Sequence, residues 1–312
     1  MAKLLRPPRL QPGDIVALLS PASAPKTRAH VANARAVLEG MGFVVRLGKH
    51  VLDQQGYLAG TDAARAEDLR AAFLDPQVKA IFCTRGGYGT ARLLEVFNIS
   101  IALQHPKILV GYSDLTSLHL ALQRAGLVSF WGPMPGVYPG CNAFSARWLK
   151  KALMSDNPVG TLPVVRSELA TLRLGKAEGE LTGGTLTLLA SSLGTPYALN
   201  TRNRIVFMED EGEEPYKVDR LLTQLLTAGK LKDAAGIVLG VFKGTRLKVY
   251  PARQSWSLRE VLYDRLRPLK LPVFYGLSLG HIPNQSTLPY GVKARLDAGR
   301  GLLEILEPGV RA

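Results

Sequence analysis

The sequence predicts an α/β protein of two domains, and three observations predict it. Short apolar runs alternate with helical patterns as far as about residue 130. A stretch rich in Pro and Gly, "GPMPGVYPG" (132–140), then breaks the rhythm. Beyond it, strands and helices resume in a less regular order and end in a hairpin pattern. At 312 residues the chain is long enough for two domains, and 46% hydrophobic content suits a protein with a proper core.

Each element has a local reason. "GDIVALLSP" (13–21) reads as a strand closing in a turn, and Val31, Ala34, Leu38 and Met41 mark one face of a helix over 28–41. "FVVRL" (43–47) is a second strand. Ala66, Leu69 and Phe73 mark the next helix, which Asp75-Pro76 stops. "VKAIFCT" (78–84) is a third strand, followed by a Gly-rich turn and a short helix near 90–97. "KILVGY" (107–112) is a fourth, with Leu115, Leu118 and Leu122 on the helix after it. Such alternation implies a parallel sheet covered on both faces, with ligands at the carboxyl ends of its strands.

Residues 155–180 lack strong periodicity, so 1–145 is taken as the first domain, 146–175 as a linker and 176–312 as the second domain. In the second domain come an apolar helix (185–193), a strand "RIVFMED" (204–210) and a helix over 215–228. "AGIVLGVF", a helix near 257–267, "VFYGLSLG" and the pair "VKARLDAGRGLLEIL", turning at Gly299, complete a mixed α/β domain.

Composition removes several classes of function. The formal charge is +14, but Lys and Arg are scattered, with no basic block, zinc-finger spacing or aromatic RNA-binding signature. Nucleic acid is therefore not the expected partner; a general attraction for acidic small substrates, or solubility alone, accounts for the charge. No apolar run approaches the ~20 residues of a membrane span. "MAKLLRPPRLQPGD" lacks the unbroken apolar core of a secretory signal. The only cysteines, Cys83 and Cys141, form no disulfide framework or metal-ligand spacing, and Cys83 within "AIFCT" reads as a buried, inert thiol.

The chemistry centres on "KILVGYSDLTSLHLAL" (107–122), where a strand meets a helix at Ser113. A serine on that corner lifts its Oγ clear of the sheet. The N–H of Asp114 then points from a helix N-terminus at a developing oxyanion. Leu115 stands where the second Gly of G-x-S-x-G would be, and Ser113 or Asp114 capping the helix is the alternative reading. A serine hydroxyl needs a general base. Of five histidines, His30 and His119 fall in helix patterns, and His50 and His105 in charged or Pro-rich loops. His281 directly follows an apolar strand, in "GHIPNQSTLPYG", where a sheet positions a loop residue. Glu209 ends the strand "RIVFM" in the same way and is a candidate to orient the base. Asp210, Glu211, Glu213 and Glu214 match no metal-binding loop and read as a solvated acidic turn. "CTRGGYGT" (83–90) is neither G-x-G-x-x-G nor a P-loop. Gly86 or Gly87 there is a candidate second oxyanion donor.

Taken together, these motifs resemble the LD-carboxypeptidase family of serine peptidases. The resemblance runs from about residue 10 to 300. Its segments are "LQPGDIVALLSPAS", "GYLAGTDAARAEDLRAAFLDPQVKAIFCTRGGYGTARLL", "PKILVGYSDLTSLH", "WGPM", "GGTLTLLASSLGTPY", "FMEDEGEEPYKVDRLLTQL" and "GHIPNQSTLPYG". It implies a Rossmann-like N-terminal domain, similar to class I glutamine amidotransferases, and a C-terminal β-rich α/β domain. It implies Ser113 as nucleophile, Glu209 as acid and His281 as base. The oxyanion hole would use the N–H of Asp114 and a glycine, Gly86 or Gly87. The activity implied is release of the terminal D-alanine of murein tetrapeptides in cytoplasmic cell-wall recycling, by a homodimer without metal or other cofactor.

"PAS" (21–23) stands where many members have Pro-Ser, which touches a loop near the cleft. A related branch, the microcin self-immunity peptidases, cleaves aminoacyl-nucleotide amides with an aromatic-bearing loop. Residues 149–184 here contain no Phe, Tyr or Trp, which disfavours that branch. The non-enzymatic alternative is a module in which "RGGYG" binds an anion or peptide and Ser113 only caps.

Overall fold

Alternating strands and helices build two units, seen in a computed structural model that describes residues 4–136, 140–245, 247 and 249–312. Of the Pro- and Gly-rich stretch, 137–139 lie outside the described residues. The first unit comprises 1–158, 283–291 and 308–312, and the second 159–282 and 292–307. The boundary thus falls within the stretch read as a linker, and two late segments return to the first unit. Among the described residues no helix is long and apolar enough to cross a membrane.

In the first unit, β1 (Ile15–Leu19), β2 (Val44–Leu47), β3 (Val78–Cys83), β4 (Ile108–Gly111) and β5 (Phe130–Trp131) run parallel. They alternate with α1 (Arg28–Gly40), α2 (Asp62–Leu74), α3 (Thr90–Val96), α4 (Ser100–Gln104) and α5 (Thr116–Ala125), and α6 (Ala143–Leu153) follows. A late strand, β12 (Leu288–Pro289), pairs antiparallel with β5, giving the order β12-β5-β4-β3-β1-β2. β3 and β4 are almost entirely buried, as expected of central strands covered on both faces. α1 turns Val31, Ala34 and Leu38 to the core. The Thr61 hydroxyl caps α2 by accepting the Ala64 N–H at 3.1 Å. The strand order reverses between β1 and β3, so the loops leaving those strands flank the place where such sheets bind ligands.

The second unit holds β6 (Gly160–Thr161), β7 (Ala170–Arg173), β8 (Lys176–Thr185), β9 (Arg204–Glu209), β10 (Gly236–Leu239), β11 (Val273–Tyr275), β13 (Lys293–Asp297) and β14 (Leu302–Ile305). Its sheet has the order β6-β14-β13-β8-β9-β10-β11-β7, and β8 to β11 run parallel at its centre. The helices are α7 (Leu186–Ser191), α8 (Pro215–Thr227) and α9 (Leu258–Leu266). Pro215 starts α8, where its missing N–H is harmless. Ser257 and Glu260 form a reciprocal capping box on α9. β13 and β14 form the expected hairpin.

The supposed linker, 146–175, is ordered chain. It contains most of α6, then β6 and β7. α6 buries Trp148, Leu149, Ala152 and Leu153, and the Asn142 side chain caps it by accepting from Ser145 N–H at 2.9 Å.

Candidate active site

Ser113 stands where β4 ends, and its φ is +63°, in the left-handed region. A helix-capping serine has extended backbone angles, so capping does not account for this conformation. Holding a non-glycine residue there costs about 1–3 kcal/mol and occurs where surrounding structure enforces it. Residues 113–115 form a single 3₁₀ turn that runs into α5. His119, buried on α5, helps to fix the end of β4: its Nε2–H donates to Gly111 O at 2.9 Å, and the Ser129 hydroxyl bonds its Nδ1 at 2.8 Å. Burial pushes the His119 pKa down to about 4, so its ring is neutral.

Gly86 lies against this corner. A Cβ on Gly86 would sit 2.9 Å from Ser113 Cβ, 3.1 Å from its Oγ and 3.2 Å from Asp114 N. Only glycine permits that approach. The Gly86 carbonyl accepts the Ser23 N–H at 3.2 Å. The N–H of Gly87, across the same planar peptide, therefore points away from Ser23.

Asp114 has two functions. Its backbone N–H flanks Gly86, and its carboxylate caps α3 rather than α5. Oδ2 accepts the Thr90 N–H, in the first turn of α3, at 2.8 Å. Burial raises the Asp114 pKa, against the hydrogen bonding from Thr90. The serine corner and the glycine loop are thereby stitched together.

In the second unit, Glu209 ends β9 and His281 lies in the loop after β11. They meet: His281 Nδ1–H donates to Glu209 Oε2 at 2.8 Å. Glu209 is 0% exposed, and its Oε1 accepts from the Thr185 hydroxyl at 2.7 Å. The parallel register sets Thr185 of β8 beside Glu209. With the proton on Nδ1, Nε2 is left as the basic nitrogen. Burial pulls the His281 pKa down. The charge of Glu209 and its hydrogen bond, with Glu211 and Asp210, outweigh that and leave it raised above 6.5.

The acidic turn is not uniformly solvated. Asp210 is buried, accepts from Thr187 N and Oγ1 at 2.8 Å each, and anchors the start of α7. Burial, then the Glu209 charge, pushes its pKa up to about 6. Glu214 is buried and accepts from Val249 N–H at 2.8 Å. Glu211 is exposed, with Oε2 3.6 Å from His281 Nε2. Replacing Glu211 by Gln removes a charge that favours the imidazolium. The acid limb of kcat/KM, set by neutral His281, is therefore expected to move to lower pH. A pH–rate profile of Glu211→Gln against wild type checks this, and an unmoved limb contradicts it.

Gly280 keeps the pair in place. Its φ is +116°, and a Cβ there would lie 2.7 Å from Val241 O and 3.0 Å from Glu209 Oε2. Gly280→Ala is expected to displace the pair, lowering turnover about 10²-fold. It should also abolish the downfield NMR signal of the hydrogen-bonded Nδ1–H. Retention of both would contradict the geometry.

Cys83 is buried, and desolvation pushes its thiol pKa far up, so it has no thiolate to offer. Thr185 was not singled out from sequence, the Asp114 side chain was read only as a possible cap for the helix after it, and Ser23 was noted only within "PAS". The signal available for Thr185 was its place in "GGTL", at the end of a strand hidden in the weakly periodic stretch.

The family model of the LD-carboxypeptidase N-terminal domain matches residues 16–132, and that of the C-terminal domain matches 178–296. A probable murein peptide carboxypeptidase of Bacillus subtilis is 40% identical over 310 residues, spanning 98% of this chain and 95% of its own length. The murein tetrapeptide carboxypeptidase of Pseudomonas aeruginosa is 35% identical over 293 residues, spanning 91% and 94%. Among solved structures, the muramoyltetrapeptide carboxypeptidase from Oxalobacter formigenes superposes with a TM-score of 0.82 at 30% identity, covering 94% of this chain and 99% of its own. The microcin C7 self immunity protein MccF, in complex with aspartyl sulfamoyl adenosine, gives 0.88 at 25% identity, covering 98% and 100%. Both domain models match in order along one chain, and the similarity to the two curated carboxypeptidases spans nearly its whole length: the chain belongs to the LD-carboxypeptidase family.

Proposed function

We propose that the protein is a serine carboxypeptidase that releases the terminal D-alanine of murein tetrapeptide. It would act in the cytoplasm during cell-wall recycling, as a homodimer. The observation that carries the reading is Ser113, held at a left-handed backbone angle against Gly86. The buried Glu209–His281 pair supplies the complementary base.

In this mechanism His281 Nε2 takes the Ser113 proton, and Oγ attacks the carbonyl before the terminal D-residue. The oxyanion forms between the Asp114 N–H and a glycine N–H. We assign that second donor to Gly87, because the Gly86 carbonyl is engaged by Ser23 and turns the Gly87 N–H the other way. His281 then gives its proton to the leaving D-alanine amine. Water repeats the sequence on the acyl-enzyme. The imidazolium that forms twice per cycle is stabilised by Glu209, whose remaining oxygen is occupied by Thr185. Each oxyanion donor contributes about 10²–10³ in turnover. The net charge of +14 favours approach of a carboxylate-rich peptide.

The test is D-alanine release from murein tetrapeptide, run beside an aminoacyl-nucleotide amide. Release of D-alanine by wild type, with the nucleotide amide untouched, is expected. Cleavage of the nucleotide amide alone would transfer the protein to the microcin-immunity type. Binding of tetrapeptide without release would reduce it to a binding module.

A further inference from the structure

Arg65, on α2, has a side chain that is 0% exposed. Taking a guanidinium out of water is costly unless most of its donors are engaged. Nη1 donates to Pro21 O at 2.6 Å and to Gly89 O at 2.9 Å. Nη2 pairs with the Asp62 carboxylate, which Arg92 holds from outside through Nη2 at 2.6 Å. Nε is buried without a hydrogen-bond partner among the described residues. Pro21 belongs to the loop leaving β1, and Gly89 to the loop leaving β3. One nitrogen therefore ties together the two loops that flank the reversal in strand order.

We propose that Arg65 is a positioning residue for the oxyanion trap. Its grip on the Pro21 and Gly89 carbonyls fixes the 85–89 loop, so that the Gly87 N–H meets the oxyanion formed at Ser113. The inference rests on the reading of Ser113 as nucleophile.

The loop needs such a clamp. Residues 85–89 include three glycines, Gly86, Gly87 and Gly89, whose peptides rotate with little steric resistance. Three other ties hold it to the 20–24 loop: Ser23 N–H to Gly86 O at 3.2 Å, Tyr88 N–H to Ser23 Oγ at 3.1 Å and Arg85 Nη1 to Ala24 O at 3.1 Å. All three lie before Gly89. At the end of the loop, Arg65 holds the Gly89 carbonyl while the Asp114 carboxylate accepts the N–H of the next residue, Thr90. The peptide group joining Gly89 to Thr90 is thus held at both its carbonyl and its N–H, and the second anchor is the residue whose own N–H belongs to the trap. The absence of a side chain at Gly89 makes room for this: a Cβ would sit 2.6 Å from Arg65 Nη1.

An arginine that only stabilised the fold would lower the folded fraction and leave the kinetics of folded enzyme unchanged. A clamp on an oxyanion donor acts on an interaction made in the transition state, so its loss lowers kcat and leaves KM in place. The experiment compares Arg65→Met, Arg65→Lys and a control, Arg70→Ala, at an exposed position of the same helix. D-Alanine release is measured together with amide hydrogen exchange over residues 85–90.

For Arg65→Met the expected result is a kcat about 10²-fold lower, with KM and the pH profile unchanged. Exchange at 85–90 should be at least about tenfold faster, because opening of the loop sets it. Arg65→Lys, able to reach one carbonyl, should fall between, and Arg70→Ala should match wild type. A folded Arg65→Met with wild-type kcat, a change confined to KM, or unaltered exchange at 85–90 would overturn the proposal. If Arg65→Met fails to fold, wild-type kcat and exchange in Arg65→Lys would overturn it instead. If wild type itself releases no D-alanine, the functional reading fails first. The exchange data then still decide whether Arg65 clamps the loop.

Discussion

Ser113→Ala is expected to lower kcat for D-alanine release by roughly 10⁶, the scale seen when a triad nucleophile is removed. The substitution deletes one oxygen, and alanine at φ +63° keeps a strain similar to that of serine. Gly86 and Asp114 N–H need not move. Tetrapeptide affinity, followed by calorimetry, should therefore stay within a few-fold of wild type. Residual catalysis comes from the oxyanion donors and from binding alone. Release by Ser113→Ala at a rate comparable with wild type would remove Ser113 from the mechanism.

Glu209→Gln is expected to lower kcat by about 10⁴, the loss found when a triad carboxylate becomes an amide. Glu209 accepts two hydrogen bonds in a fully buried site, one from Thr185 and one from His281 Nδ1–H. A glutamine amide has one oxygen and one NH₂, so it cannot accept both. If the oxygen stays with Thr185, the NH₂ faces His281. The ring must then carry its proton on Nε2, where it cannot receive the one from Ser113. Loss of the charge also removes the largest influence that raises the His281 pKa, so the remaining activity should have its acid limb at lower pH. Histidine NMR in the variant, showing the proton moved to Nε2, together with the drop in kcat, tests the argument. An unchanged tautomer with unchanged kcat would contradict it.

Much of the fold was legible because its signals are local. β1, α1, β3, β4, α2 and α8 carry apolar runs or one-sided helical patterns, and the structure places each within a residue or two of its expected span. α6 and β6 to β8 were missed. "AFSARWLKKAL" does carry a one-sided pattern, with Trp148-Leu149 and Ala152-Leu153 one turn apart, but the Pro- and Gly-rich stretch just before it drew the expected linker across it. β8 begins "KAEGEL", where alternate positions are only half-buried against neighbouring strands distant in sequence. Pairing of that kind leaves little trace in a short window.

The same division holds at the site. Ser113, Glu209 and His281 stood out because each follows or ends an apolar run, which is a local signal, although β11 stops at Tyr275 and His281 lies in the loop beyond it. The anchors did not stand out. Arg65 shares a helix face with Leu69 and Ala72, a charge set among apolar residues at helical spacing. That pattern indicates a buried guanidinium, but its partners, Pro21 and Gly89, come from loops of two other strands. Asp114 looked like a cap for the helix it precedes and instead caps α3. Which side of a turn a carboxylate faces is decided by packing, not by its neighbours in sequence.

The central claim is that Ser113 becomes acylated, with His281 moving its proton. The most direct measurement uses a murein tripeptide esterified to D-lactate in place of D-alanine. Its better leaving group speeds acylation, so the acyl-enzyme should accumulate. A burst of D-lactate near one equivalent per protein is expected in wild type, with the tripeptidyl mass on the peptide containing Ser113 after acid quench, and neither in His281→Ala. Steady turnover without a burst and with Ser113 unmodified, or the same burst in His281→Ala, would contradict it.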